Sequence, residues 1–254
     1  GPQVQERYKA GFGENFRSYG RLPMWDEESL CKRIEELRAI GLKNVYFKMA
    51  GYDPADLERV LRIASMAQVD MVTFGGAGGG SGYSPCKMMN EWCLPTVAME
   101  SELVQIMSRM EKEGLSLPHI AITGEDQVYK ALAFGAPYVS AIGICRASMA
   151  AAMSAKKVGE LMEAGNIPTE LQRFGSTVDE LFPDLRELRN IYGEEANNFS
   201  TGAIGVYSYL NRIAFGLKHF AALNRKFSLE YIDRSDIFPL TRDAKDLLDG
   251  KWMK

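Results

Sequence analysis

Lys48 is the residue whose type and position most directly suggest chemistry. It is the one charged residue in the apolar run Val45–Ala50, which reads VYFKMA. Burying an unpaired ammonium group costs free energy, so we expect its side chain to reach the end of the strand or to pair with a carboxylate. At a strand end it could stabilise negative charge on a ligand or act as a Schiff-base nucleophile. A lysine at a solvent-exposed edge, without such a role, is the simpler alternative.

The stretch Met71–Pro85 joins a β-prone run to a loop in which six of eight residues are glycine. Glycine loses more backbone freedom on folding than any other residue, roughly 0.5–1 kcal/mol relative to alanine. Such a loop is useful where main chain must approach a ligand, and ligands of α/β proteins bind at strand ends. We therefore predict a binding loop, with a mobile surface loop as the alternative. Its glycines are Gly75, Gly76, Gly78, Gly79, Gly80 and Gly82.

The cysteines and histidines do not suggest a metal site. Cys86 and Cys93 have a spacing that matches no standard zinc or iron–sulfur pattern, and Cys145 is distant from both in the sequence. We interpret all three as inert thiols. His119 at the start of a strand and His219 in a long helix are interpreted as structural residues.

Alternating strands and helices position Lys48 and the glycine loop. Four β-prone runs, each ending at or just before a glycine, alternate with segments of helical period. This alternation predicts parallel strands with crossover helices, so the glycine turns should lie at one edge of a sheet. A helix from Asp26 to Gly41 precedes the first strand, and Asp53-Pro54 is a helix-start signal after it. The four runs are Val45–Ala50, Met71–Phe74, His119–Gly124 and Tyr138–Gly143.

Beyond Cys145 the alternation stops and helical patterns follow one another. The last of them, Thr201–Leu223, is apolar nearly all round, which predicts burial in a core or against a partner subunit. We divide the chain into an N-terminal loop segment and helix (1–40), βα units (41–165) and a helical C-terminal extension (166–254). The helices predicted here are Ala147–Ala164, Pro168–Arg173, Val178–Asn190 and Thr201–Leu223.

Composition excludes several classes of partner. With 30 basic and 33 acidic residues the net charge is -3, and no basic block of the kind that binds nucleic acid is present. No apolar run approaches the roughly 20 residues that cross a bilayer, and no signal-peptide pattern opens the sequence. Few, irregularly spaced cysteines are typical of reduced thiols. We expect a soluble cytoplasmic protein that binds neither nucleic acid nor membrane.

The order of four motifs resembles the FMN-binding barrel of the glutamate synthase family. VYFKMA is followed by TFGGAGGGSG, then by AITG with KALAFGA, then by AIG and a small-residue helix. The chain is most similar to the short glutamate-synthase-like proteins without an amidotransferase domain. The resemblance implies an α/β fold of the (β/α)8 TIM-barrel type, of which these βα units would be the C-terminal half, followed by the helical extension.

The resemblance also implies residue roles in binding FMN. Lys48 would be the catalytic residue, beside the flavin, where it could stabilise negative charge on the reduced ring. Gly75, Gly76, Gly78 and Gly79 would let main chain approach the flavin and the substrate. Backbone N–H groups would hold the phosphate at Gly124 and at Gly143, Ile144 and Cys145, because late barrel turns and helix N-termini bind phosphate. Arg146 would add a charged contact.

The family chemistry implied by the resemblance is that of a flavoprotein of amino-acid metabolism. Reduced FMN would pass reducing equivalents to an imine or related small substrate of the CH-NH2 class, with glutamate formation as one possibility. Electrons would come from a donor such as ferredoxin or an NAD(P)H-oxidising subunit. Because four or five strands cannot close a barrel, the missing half should come from another chain or from a region outside this sequence, and we expect an oligomer.

Two departures from the family pattern keep other functions open. Ala77 stands where the family loop has a glutamate, and the cysteines that would bind an iron–sulfur cluster are absent, so no cluster is expected. One alternative is a cofactor-free barrel enzyme that acts on a phosphorylated small molecule through Lys48. Another is a degenerate barrel that serves as a scaffold subunit in an electron-transfer complex.

Overall fold

The structure is a computed structural model that describes residue 6 and residues 26–51, 53–77, 91–123, 128–144 and 146–251. Four strands alternate with helices in the first part of the chain, and helices alone make up the described part of the rest. The strands are β1 Tyr46–Ala50, β2 Met71–Gly75, β3 His119–Thr123 and β4 Val139–Gly143. Among the described ranges, the helices from residue 26 to residue 163 are α1 Glu27–Ala39, α2 Pro54–Met66, α3 Thr96–Lys112, α4 Val128–Gly135 and α5 Arg146–Glu163. The α-helices described after residue 163 are α6 Thr169–Gln172, α7 Val178–Leu181, α8 Leu185–Tyr192, α9 Thr201–Leu223 and α10 Arg242–Leu248.

The four strands form one parallel sheet in the order β1-β2-β3-β4. The alternation predicted from the sequence is therefore confirmed, and the chain is an α/β protein compatible with a partial barrel. Ala50, Gly75, Thr123 and Gly143 are aligned as the last row of the sheet. The turns marked by Gly51, Gly75 and Gly143 accordingly lie at one edge, which we call the carboxyl edge.

One face of the sheet is covered by α1, α2 and α3. Val72, Phe74, Ile120 and Ile122 point to this side and are fully buried against helix residues such as Leu61. Each such side chain contributes roughly 1.5–3 kcal/mol by leaving water. The alternate residues form the opposite face, here called the open face. It carries Lys48, Ala50, Thr73, Gly75, Ala121, Thr123, Ala141 and Gly143.

Local capping explains where the helices beside β1 begin. The Asp53 side chain accepts a hydrogen bond of 2.8 Å from the N–H of Ala55, and Pro54 occupies the first helical position of α2. Asp26 caps α1 in the same way through the N–H of Ser29, also at 2.8 Å. Such caps satisfy N–H groups that the helix itself leaves without partners.

The C-terminal helices pack mainly on one another. Long helices α5 and α9 approach closely where Gly205 of α9 lies against Ala155 of α5. A separate apolar cluster joins them to α7 and α8. The single helix predicted for Val178–Asn190 is wrong, because Pro183 disfavours a helical Phe182 and splits the segment into α7 and α8.

Helix α9 spans the predicted residues, but it is not buried in a core. Phe215 and Leu223 remain largely exposed, and Gly202, Ile204 and Ala221 are its fully buried residues. Burial against a partner subunit is the alternative that stays a prediction. Over the residues that the structure describes, neither α9 nor any other helix has the length and apolarity to cross a membrane.

Candidate functional site

Lys48 lies on the open face of β1, two residues before the strand ends at Ala50. Its side chain is exposed. The Lys48 Cε atom lies 3.6 Å from the point where a Cβ on Gly75 would be. Since Gly75 is the last residue of β2 and pairs with Ala50, the Lys48 side chain runs along the open face toward the carboxyl edge.

Thr123 approaches Gly75 from the other side. The Thr123 Oγ1 atom lies 3.3 Å from the same Cβ position, and its hydroxyl donates a hydrogen bond of 3.4 Å to the carbonyl oxygen of Phe74. A cationic side chain and a hydroxyl thus flank a position that has no side chain of its own. Sequence analysis missed Thr123, because its relation to Lys48 depends on the strand register, although its place just before Gly124 at a strand end was a usable signal.

Gly76 serves a different purpose from Gly75. A Cβ on Gly76 would lie 2.5 Å from Oγ1 of Thr96 and 2.8 Å from both Cα and N of that residue. The start of α3 therefore packs directly on the Gly76 backbone, and this packing accounts for the missing side chain. Any contribution of Gly76 to ligand binding would come from its main chain.

Residues 91–95 tie α3 to the carboxyl edge by backbone hydrogen bonds. The N–H of Leu94 donates to the carbonyl of Gly51 at 2.8 Å, and the N–H of Ala77 donates to the carbonyl of Leu94 at 2.7 Å. A Cβ on Gly51 would collide with the Sδ atom of Met99. The first residues of the glycine loop are therefore held by the segment that leads into α3.

Gly143 and the start of α5 form the other end of the candidate site. A Cβ on Gly143 would lie 2.6 Å from Cγ2 of Thr123, so glycine is needed here to admit the threonine methyl group. Ile144 is half-buried, and exposed Arg146 is the first residue of α5. α5 starts three residues after β4 ends, and the N-terminus of a helix carries the positive end of its dipole.

The predicted site residues divide into three groups. Lys48 and Gly75 are brought together, with Gly143 on the far side of Thr123. Gly76 faces the start of α3 instead, whereas Ile144 follows β4 and Arg146 begins the next helix. The remaining predicted site residues, Gly78, Gly79, Gly124 and Cys145, lie outside the residues that the structure describes.

Cys93 lies next to this edge as a half-buried thiol. Burial raises the pKa of the Cys93 thiol, which keeps it protonated and a poor nucleophile near neutral pH. This agrees with its interpretation as an inert thiol. In the described ranges no group of three histidine, cysteine, aspartate or glutamate side chains is placed to hold a metal ion.

Comparison with known protein families gives one match. A sequence model described as the conserved region in glutamate synthase matches residues 21–165, which is more than half of the 254-residue chain. The chain belongs to the glutamate synthase family. Searches of curated proteins and of solved structures give no match.

The glutamate synthase region contains all four strands and the whole of the described carboxyl edge. It begins ahead of α1 and ends just after α5, at Gly165. Lys48, Gly75, Thr123 and Gly143 therefore all belong to the part of the chain that defines the family. The helices from α6 onward lie outside the matched glutamate synthase region.

Proposed function

We propose that this chain is an FMN-dependent oxidoreductase of the glutamate-synthase type, and that its sheet is the C-terminal half of a (β/α)8 barrel. The observation that carries the proposal is the convergence of Lys48 and Thr123 on Gly75, inside the region that matches the glutamate synthase family. Catalytic groups of such barrels lie at the carboxyl ends of the strands. A lone surface lysine would not require a glycine and a hydroxyl beside it.

The described residues fit FMN in three respects. Gly75 leaves a space between Lys48 and Thr123 that a Cβ would fill. Ala50 and Gly143 keep the same row of the sheet free of large side chains. Lys48 supplies a cation beside the space at Gly75. The α5 N-terminus, with Arg146, offers N–H groups and positive charge of the kind that binds a phosphate.

When bound, FMN would supply the electron-transfer chemistry that the side chains lack. The chain's own contribution is positional and electrostatic. The Lys48 ammonium group would stabilise negative charge over Gly75, and the Thr123 hydroxyl would orient a polar atom of the ligand. Lys48 is exposed in the described half, so its full effect would require the rest of the barrel to exclude water from the site, because a cation acts more strongly at low dielectric than in water.

The substrate class we propose is a small imine or related compound of the CH-NH2 type, reduced with electrons from a donor such as ferredoxin or an NAD(P)H-oxidising subunit. Ala77 supplies no carboxylate to bind an amino group or to move a proton, and its N–H is already engaged by Leu94. Substrate recognition must therefore depend on other groups at the carboxyl edge. This favours a substrate selected by its acidic part, which Lys48 can bind.

A titration of the full-length protein with FMN, followed by absorbance and by quenching of flavin fluorescence, tests the proposal. We expect saturable binding, and we expect Lys48→Met to raise the dissociation constant at least tenfold because the cation beside Gly75 is lost. Lys48→Arg should retain part of the affinity.

Lys43→Met is the matched control, since Lys43 is an exposed lysine in the turn before β1, away from the carboxyl edge. It should bind FMN like the wild type. The proposal is wrong if folded protein takes up no FMN, or if the Lys43 and Lys48 variants lose affinity equally.

A further inference from the structure

A cavity of about 480 Å³ lies between the start of α4 and the C-terminal half of α9. The short 3₁₀-helix Arg234–Asp236 contributes a third side through Asp236. The volume is within the range of roughly 300–1,000 Å³ that small-molecule sites occupy. None of the described residues that line this cavity belongs to the carboxyl edge of the sheet. The cavity is therefore distinct from the candidate site at Lys48 and Gly75.

Specific contacts hold the walls of this cavity together. Asn224, which follows the last residue of α9, donates a hydrogen bond of 2.8 Å from Nδ2 to the hydroxyl of Tyr129 on α4. The rings of Tyr129 and Phe220 lie 5.4 Å apart, a distance typical of aromatic pairs. On the third side, Asp236 accepts a hydrogen bond of 2.8 Å from Nζ of Lys226. The walls are thus joined to one another by contacts of the chain itself.

Gly216 widens the cavity at a position where packing does not explain a glycine. Glycine inside a helix is destabilising relative to alanine. In the same helix Gly202 has a packing reason, because a Cβ there would lie 3.1 Å from the carbonyl oxygen of Ala152 on α5. A Cβ on Gly216 would meet no described atom within 4 Å. Since Gly216 lines the cavity, its missing side chain leaves space for something other than the described chain.

Most of the lining is apolar. Val128 of α4 and Ile213 and Leu217 of α9 contribute aliphatic side chains, and Tyr129 and Phe220 contribute aromatic rings. A lining of this kind stabilises the apolar part of a ligand by removing it from water.

Two ionisable side chains also line the cavity, and they differ in how their charges are paired. The carboxylate of Asp236 is 5% exposed, and its charge is balanced by the ion pair with Lys226. Lys130 is exposed, which places it at the rim, and it forms no ion pair with any residue that the structure describes. The charge left for a ligand is accordingly positive.

We propose that this cavity binds a small acid with an apolar body, whose carboxylate pairs with Lys130 and whose body lies against Gly216 and Phe220. A carboxylate at the rim keeps part of its hydration, while the body is removed from water. One wall belongs to the matched glutamate synthase region, whereas α9 and the 3₁₀-helix lie beyond its end at Gly165. The ligand would thus join the sheet region to the C-terminal helices, and its binding does not require FMN.

Isothermal titration of the full chain with 1-naphthylacetate and with 1-naphthylacetamide tests the proposal. The two probes have the same shape, but only the first carries a charge. For a body of about 14 non-hydrogen atoms we expect naphthylacetate to bind one site with a dissociation constant of roughly 1 mM or lower. The amide should bind about fivefold more weakly, as loss of a partly solvated ion pair predicts.

Lys130→Met should abolish the preference for the acid over the amide. Lys218→Met is the matched control, because Lys218 is an exposed lysine of α9 that does not line the cavity. It should keep the wild-type preference. Equal affinities of the two probes for the wild-type chain would overturn the proposal, as would an equal effect of the two lysine substitutions.

Gly216→Leu tests the cavity itself. The leucine side chain would occupy the space beside Gly216, so naphthylacetate affinity should fall at least tenfold. The Tm without the probe should instead rise by roughly 2–4 °C, because leucine favours a helix more than glycine does. Ala214→Leu, at an exposed position of the same helix that does not line the cavity, is the control and should bind like the wild type.

Three further results would overturn the proposal. The first is a folded chain that binds no naphthylacetate, and the second is wild-type affinity in Gly216→Leu, which would place the probe on another surface. The third is displacement of naphthylacetate by FMN, which would place it at the carboxyl edge. If the chain takes up no FMN but Gly216→Leu loses the probe as expected, the proposed function is wrong and the cavity site stands.

Discussion

At the scale of residues, Gly75 and Gly76 are adjacent in the sequence but are glycine for different reasons. Gly75 leaves space on the open face between Lys48 and Thr123, whereas Gly76 lets the Thr96 backbone approach. The two positions therefore separate ligand binding from stability. A flexible linker would show no such difference between neighbours.

Alanine at the two positions should have opposite effects. In Gly75→Ala the new methyl group meets Oγ1 of Thr123 at 3.3 Å, a contact that a small rotation relieves, so stability should change little. Because the methyl group fills the space between Lys48 and Thr123, FMN affinity should fall at least tenfold. In Gly76→Ala the methyl group meets backbone atoms at 2.8 Å, and the unfolding free energy should fall by about 1–3 kcal/mol.

Thermal unfolding with and without FMN measures both effects on the same samples. The loss expected for Gly76→Ala corresponds to a fall in Tm of roughly 3–10 °C for a chain of this size. Equal destabilisation by both substitutions, with FMN affinity unchanged, would show that Gly75 is also a packing glycine.

The sequence allowed part of this site to be predicted. Lys48 stands out because a charge in an apolar run needs an explanation, and glycine-rich turns at strand ends point to one edge of a parallel sheet. Thr123 was missed: its place at a strand end before Gly124 was a signal, but only the register of β2 and β3 shows that it reaches Gly75. The role of Gly76 was also hidden, since the helix that packs on it begins twenty residues later, at Thr96.

At the scale of elements, an ion-pair cluster fixes α3 against α2. Arg62 of α2 donates to both carboxylate oxygens of Glu113, at 2.7 and 2.9 Å. Glu58 accepts from Arg62 and from Arg109 of α3. The cluster lies at the C-terminal end of α3, whereas the N-terminus of the same helix packs on Gly76.

The cluster should make stability depend on acid pH. Hydrogen bonds from Arg109 and Arg62 lower the pKa of Glu58, and the bond from Arg62 lowers that of Glu113. Both carboxylates have a lower pKa when folded than when unfolded, so their contribution is present above about pH 4.5 and is lost as the pH falls through the folded values. Wild-type Tm should therefore fall between pH 5 and pH 3, roughly the window that the lowered pKa values define.

The fall in Tm between pH 5 and pH 3 should be about 2 °C smaller for Glu58→Gln than for the wild type. The effect is small because the groups are largely solvated. The measurement is a series of thermal melts from pH 3 to pH 7, roughly the range over which carboxylates titrate. Glu36→Gln is the control, because the ion pair of Glu36 with Arg33 is exposed and lies within α1 alone. A Glu58 variant whose pH profile matches that of the wild type would show that the cluster contributes nothing.

Element prediction succeeded where the local signal was strong. The capped helix after Asp53, the glycine-terminated strands and the span of α9 follow from patterns within each segment. The prediction of one helix over residues 178–190 failed because Pro183 interrupts a pattern that is otherwise helical. The packing of α5 on α9 could not be predicted, because the pattern within each helix does not show which helix it meets.

At the scale of the whole molecule, ligand binding and folding should be thermodynamically linked. If FMN binds only the folded chain, it stabilises that chain by RT ln(1 + [L]/Kd), which is about 2.7 kcal/mol at a hundredfold excess over Kd. For a chain of this size, that free energy corresponds to a rise in Tm of roughly 5–11 °C. Thermal melts over a series of FMN concentrations measure this rise.

The same linkage predicts how the Lys48→Met variant should melt. Because Lys48 is exposed, its replacement should leave Tm nearly unchanged in the absence of FMN. If the substitution raises Kd tenfold, the stabilisation by a given excess of FMN falls by about 1.4 kcal/mol, and the rise in Tm becomes correspondingly smaller. Lys43→Met, the control, should show the wild-type rise. An equal rise for Lys48→Met and wild type would mean that the cation beside Gly75 does not act on the ligand.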